Sequence, residues 1–193
     1  MASYPTPAAA HPRSAGMTLG AIATAVRRGS PGVVLDALWV PAISAILILV
    51  AGGMSYWLRQ PWLFAGLGPT ALLVASSPGH ETTRFHAVLV GHLTALACAW
   101  LAILVLGAEN ASAAGASGGV PLVRVYASAV AIALLAVVQP ALRASHPPAA
   151  ATALIVTLGA YRMKGKVPMG LIGGVVAVAV VAEVMRQIRR RGH

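Results

Sequence analysis

Residues 141–159 read ALRASHPPAAATALIVTLG, a histidine and two consecutive prolines at the mouth of an apolar run of small residues. Two adjacent prolines fix φ twice and remove two backbone donors, so a helix here begins at them and does not run through them. Hydrocarbon tolerates such a break only where protein or a water-filled path covers the freed polar groups. His146, Pro147 and Pro148 are therefore the first candidate site.

The chain around this stretch is apolar nearly throughout. Of 193 residues, 58% are hydrophobic and 9% charged, with a mean hydropathy of +0.80. A soluble domain carries about 25% charged residues. This composition specifies an all-α polytopic membrane protein embedded in a lipid bilayer. The net charge of +10 does not point to nucleic acid, because no soluble face remains to present a groove. The densest basic run, Arg186 to Arg191, follows the last apolar segment and reads as a cytoplasmic anchor on anionic lipid. With both termini cytoplasmic, the location is an inner or plasma membrane. Cys98, the single cysteine, excludes an intrachain disulfide and reads as a small core residue.

Residues 1–32 read as a disordered or interfacial tail, in which Met17–Val26 can lie on the membrane surface ahead of Arg27 and Arg28. No signal-peptide core follows Arg13. The membrane domain then covers residues 33–193 in six hydrophobic segments: Ala37–Leu58, Pro61–Ser77, Ala87–Gly107, about Val125–Leu142, Pro147–Tyr161, and one from Val167 to beyond Ala182. Pro41 falls near the start of the first, and Tyr56 and Trp57 mark an interface at its end. The second and fifth are short and broken by Gly or Pro. The distribution of Lys and Arg weakly favours six crossings over four, and either count leaves Arg162, Lys164 and Lys166 on the outer side.

Set against itself at an offset of 82, the chain places Thr70-Ala71-Leu72-Leu73-Val74 on Thr152-Ala153-Leu154-Ile155-Val156 and Gly91 on Gly173. The expected architecture is two three-segment repeats, about 33–107 and 120–189, each with a short broken middle helix. Paired short, interrupted segments are the best sequence pointer to a transporter's binding site. Three crossings per repeat make the halves inverted; two make them parallel.

A helix N-terminus presents unpaired N–H groups and partial positive charge, which suits a small anion. At the fifth segment those donors come from Ala149, Ala150 and Ala151, with Thr152 one residue on and His146 able to donate or carry a proton. The other reading is that the prolines end the fourth segment and the histidine caps the turn. Gly68, Pro69 and Thr70 form the matching start in the first repeat, or a proline kink with the threonine bonded to a preceding carbonyl. His92, several residues into the third segment, faces either a cavity or a neighbouring helix. Arg84, His86 and Arg143 sit at segment ends, as an electropositive vestibule or as residues snorkelling to headgroups. The dense glycines permit close helix packing, and so small a bundle suits a homo-oligomer. No nucleotide, hydrolase or metal motif survives, and neither enzyme activity, cofactor nor metal is expected.

His146-Pro147-Pro148-Ala149-Ala150-Ala151-Thr152-Ala153-Leu154 resembles the signature of the HPP family of integral membrane proteins, roughly HPPAGATAL, with Ala150 at the usual glycine. Gly68-Pro69-Thr70-Ala71 is similar to its Gly-Ala-Ser-Ala-like run, and Gly91-His92-Leu93 to its Gly-Gly-His-Leu. The Arg-Asn that often precedes that glycine pair is not matched. The resemblance covers about Val33 to Glu183. It implies about four crossings, and, from members in plastids and cyanobacteria, nitrite transport. The joint expectation is a transporter or channel for a small anion, with its path between the two broken helix starts. The alternative is a non-transporting membrane module, an assembly partner or sensor in which the motif is structural.

Overall fold

The computed structural model describes residues 20, 31–116, 118–162 and 164–191. The chain divides into a unit of residues 1–38 and one of residues 39–193. The first contributes, among the described residues, Gly20 and the opening turns of α1. The tail and surface helix expected over 1–32 otherwise lie outside the described residues.

Six α-helices and no strand are found among the described residues: α1 Pro31–Leu58, α2 Leu67–Ser76, α3 Phe85–Val105, α4 Leu122–Ala141, α5 Ala149–Thr157 and α6 Val167–Arg191. Short 3₁₀ turns at Glu81–Thr83 and Ala108–Asn110 flank α3. Within α1 one stripe is buried (Ile43, Leu47 and Ala51), while Leu49 and the terminal Tyr56 and Trp57 are exposed. Since α1 begins at Pro31, Pro41 lies well inside it and not near its start.

The central element is α3. Its buried residues, Ala87, Val88, His92, Ala95, Ala99 and Ala102 among them, cover one broad face, while Trp100, Leu101 and Leu104 are exposed on the other. It packs on α4, α5 and α6. Five of these buried positions are Ala or Gly (Ala87, Gly91, Ala95, Ala99 and Ala102), which let helices approach closely where lipid supplies no hydrophobic drive for association. Outward-facing positions such as Leu49, Val105 and Val137 are large and apolar, as a lipid-facing surface requires.

Four stretches are long and apolar enough to cross a bilayer alone: Leu38–Leu58, Phe85–Val105, Leu122–Ala141 and Val167–Ile188. Of the six segments expected to cross, these four are helices long enough to do so alone. At 1.5 Å per residue α2 and α5 reach about 15 Å and 14 Å, half of a ~30 Å hydrocarbon core. A helix expected over Pro147–Tyr161 is confined to Ala149–Thr157. At its end Gly159 takes a left-handed φ of 83°, and Ala160 N–H donates back to the Ile155 carbonyl. This is the Schellman closure that terminates helices. The end of α4 closes the same way, with Arg143 at φ 51° and Ala144 N–H donating to Gln139.

Each short helix belongs to a longer traverse past α3. Residue Leu142 meets His86 at the N-terminal end of α3, whereas Val156 and Gly159 share a cleft with Ile103 and Leu104 at its C-terminal end. Residues 61–77 run the opposite way. A side chain at Gly170, one turn into α6, would press on Pro61. The start of α6 adjoins the C-terminal end of α3 through Lys164. At the other end the Thr83 hydroxyl donates to the carbonyl of Ser77. Two broken stretches thus pass α3 antiparallel to one another.

Candidate functional site

The two traverses meet at His92. Thr70, His92, His146 and Thr152 are all 0% exposed, and their side chains form one hydrogen-bonded chain. Its direction follows from its end. The Thr82 carbonyl can only accept, so His146 Nδ1 carries a proton and donates to it at 2.7 Å. Burial holds the His146 imidazole below its ordinary 6.5, against a smaller upward pull from the Thr82 carbonyl, so the ring is neutral and Nε2 is an acceptor. It takes the Thr70 hydroxyl proton at 3.0 Å. Thr70 Oγ1 then accepts from His92 Nε2–H at 2.8 Å, and His92 Nδ1 accepts from the Thr152 hydroxyl at 2.7 Å. Every nitrogen of both rings is satisfied, as buried polar groups must be. The Gly66 carbonyl, 3.2 Å from Thr70 Oγ1, is a second acceptor for the threonine proton.

Ring packing completes the site. The His92 and His146 centroids are 5.0 Å apart, and Phe64 meets His92 edge-on at 6.4 Å. Thr70 and Thr152 are 82 positions apart, and so are Phe64 and His146. Both pairs converge on the same imidazole. The position 82 beyond His92 is Gly174, where any side chain would collide with the Trp62 backbone. α3 supplies the histidine, and the glycine on α6 supplies the gap that Trp62 occupies.

Two residues missed by the sequence reading hold His146 in place. Gln139 accepts from His146 N–H at 3.2 Å and donates to the Gly91 carbonyl at 3.1 Å. A methyl group at Gly91 would come within 2.7 Å of His146 Cβ, so glycine there lets the loop rest on α3. Thr82 supplies the terminal carbonyl from a 3₁₀ turn. A glutamine in an otherwise apolar fourth segment was the available signal for the first. Nothing local marks the second.

The expected free donors are not free. Ala149, Ala150 and Ala151 N–H bond to the carbonyls of His146, Pro147 and Pro148 at 2.9, 3.1 and 3.1 Å. Leu67 and Gly68 N–H do the same to Phe64 and Ala65. Tight i→i−3 bonds consume the groups that a helix start would offer an anion. The space between the two starts is filled by His92, Phe64 and the two threonines. Ala149 is buried and Ala150 packs on the core, while Gly68 faces open space.

Pro69, Pro147 and Pro148 line a cleft of ≈ 830 Å³ that also reaches Thr82 and His80. Arg84, His86 and Arg143 come together in a neighbouring cleft of ≈ 690 Å³, with Glu81 and Thr82. Glu81 pairs with Arg84 at 3.4 Å, both well exposed, and His86 Nε2 donates to the Leu142 carbonyl at 3.3 Å. The vestibule residues therefore share one basin, separated from the buried histidines by the Thr82 backbone. No cluster of three or more His, Cys, Asp or Glu with metal-binding geometry occurs among the described residues.

No curated protein and no solved structure matches this chain. The model of the HPP transmembrane region matches residues 30–193. On that match, together with four apolar spans and the His146-Pro147-Pro148 break at the buried site, the chain belongs to the HPP family of integral membrane proteins.

Proposed function

We propose that the protein carries a small inorganic anion across the membrane, nitrite being the candidate that the family resemblance supplies, and that it acts without cofactor and not as an enzyme. The observation that carries this reading is the convergence of Thr70 and Thr152, from two antiparallel broken traverses, on His92. Broken segments meeting inside a bundle are where inverted-repeat transporters bind their substrates. In this reading residues 33–107 and 120–189 are inverted halves and the broken traverses complete six crossings. Both termini lie on the cytoplasmic side of an inner or plasma membrane. The Arg84–Arg143 basin collects the anion. Only a narrow stripe of α1 is buried, which leaves it a surface for assembly into a homo-oligomer.

The closed network is the occluded state, and a proton charges it without breaking it. A proton arriving on His146 turns Nε2 into a donor. Thr70 Oγ1 then accepts from both rings and turns its own O–H to donate to the Gly66 carbonyl, 3.2 Å away. All polar groups stay satisfied, so the site has two protonation states with the same partners. The charge gained on His146 supplies the attraction that the consumed amides do not.

Full burial of all four side chains and the bonded amides favour a second reading, a non-transporting module whose motif is a structural clamp. Purified protein in liposomes separates the two. Transport requires nitrite-dependent flux above that of empty vesicles. It also requires that His146→Ala abolish flux in protein that still folds. Flux equal to that of empty vesicles sinks the first reading.

A further inference from the structure

The end of the bundle away from Arg84 and Arg143 holds a second set of cations. Arg124, in the first turn of α4, is 4% exposed. Its guanidinium donates to the carbonyls of Ser112 (2.6 Å), Ala111 (2.6 Å) and Thr157 (2.8 Å). The last of these belongs to the C-terminal end of α5, where a cation is favoured. These partners are dipoles, not charges. No ion pair to Arg124 occurs among the described residues, and a buried charge without a counter-charge is costly. Of the five N–H groups of an arginine, the three bonds above use three. Two are left for something else.

A cleft of ≈ 200 Å³ opens against this guanidinium, with Arg162 and Lys164 at its mouth, Glu109 beside them and Trp100 on its outer wall. Three cations against one carboxylate give the cleft positive charge. It is smaller than the ~300 Å³ at which drug-sized ligand pockets begin, and so fits a compact polyatomic anion. Arg162 and Lys164, which the charge distribution alone leaves unexplained, acquire a role here.

We propose that this cleft binds an oxyanion of the phosphate class, held by Arg124 at the floor and by Arg162 and Lys164 at the mouth. The group is either the headgroup of an anionic lipid, whose chains would lie along the exposed Trp100, or a free anion from solution. The site does not depend on transport by the His92 network.

The full-length protein in phosphatidylcholine nanodiscs tests this, with the thermal midpoint followed as phosphatidylglycerol is added to the disc or inorganic phosphate, at fixed ionic strength, to the buffer. Stabilisation by the lipid alone assigns a headgroup, and by phosphate alone a free anion. Stabilisation by both assigns the shared chemistry. In each case Arg162→Gln and Lys164→Gln weaken the apparent affinity about five- to tenfold, the scale of one charge-assisted contact, and Glu109→Gln strengthens it. All three residues are exposed, so these variants keep the fold. Response to neither probe, or a response that the three variants leave unchanged, overturns the proposal.

Discussion

Thr70 and Thr152 bond to opposite nitrogens of one imidazole, His92 Nε2 at 2.8 Å and Nδ1 at 2.7 Å. They are not equivalent in what they do. Thr152 donates and stops, whereas Thr70 accepts from His92 and donates to His146. The central link of the chain is therefore Thr70, and the consequences of losing each can be ranked.

Thr70→Val keeps the shape and removes the hydroxyl, leaving His92 Nε2–H and His146 Nε2 both unsatisfied. At about 1–3 kcal/mol per buried unpaired group, the loss is about 2–6 kcal/mol. Thr152→Val leaves one nitrogen unpaired and costs about half as much. Denaturation of the two variants in the same detergent decides the matter: equal losses, or a larger one for Thr152→Val, contradict the direction assigned to the chain.

Acid should destabilise the fold through His146. Its folded-state pKa is lowered from 6.5, so the unfolded chain takes up the proton first. Stability contributed by the neutral ring is fully present above pH 6.5 and falls as the pH drops below it. The melting midpoint of the wild type should decline below that point, and the decline should be shallower in His146→Phe. Parallel curves would remove His146 from the account.

The glycine at the first candidate start and the glycine on α3 should respond in opposite directions. Gly91→Ala forces a methyl to 2.7 Å from His146 Cβ and 3.2 Å from the Ala144 carbonyl, a cost of about 1–3 kcal/mol for overpacking. Gly68→Ala meets nothing within 4 Å and gains about 0.5–1 kcal/mol of helix propensity. Thermal midpoints measured side by side would expose a reversal.

Arg143→Gln removes a cation from the basin that also holds Arg84, without touching the buried network. Stability should stay within about 0.5 kcal/mol. Initial nitrite flux should fall severalfold at low salt and less at about 1 M salt, where charges are screened beyond about 3 Å. A flux deficit that salt leaves unchanged would rule out electrostatic collection.

The amides of Ala149–Ala151 show where local reasoning stops. Pro147 and Pro148 start the helix as their chemistry requires, yet both remain close enough to helical geometry for i→i−3 bonds to close. Proline removes donors but not acceptors, and the carbonyls of residues 146–148 took the amides that follow. The same accounting applies at Leu67 and Gly68. A helix start was readable in the sequence; whether its donors stay open was not.

By itself the sequence determined the membrane class, the hydrophobic segments, the second and fifth of them short, and the break at His146-Pro147-Pro148. Each rests on properties local to the chain: apolar length against bilayer thickness, and the fixed φ of proline. It also marked Thr70, His92, His146 and Thr152, one at a time. Only the tertiary structure joined them, because hydrogen bonds across 22, 60 and 76 residues of chain depend on two broken traverses meeting each other at the His92 side chain. The same packing set the polarity of the network, since the Thr82 carbonyl that orients His146 lies 64 positions away. A side chain's chemistry is written in its residue type, whereas its partner, and hence its proton, is decided by what the folded backbone brings within 3 Å of it.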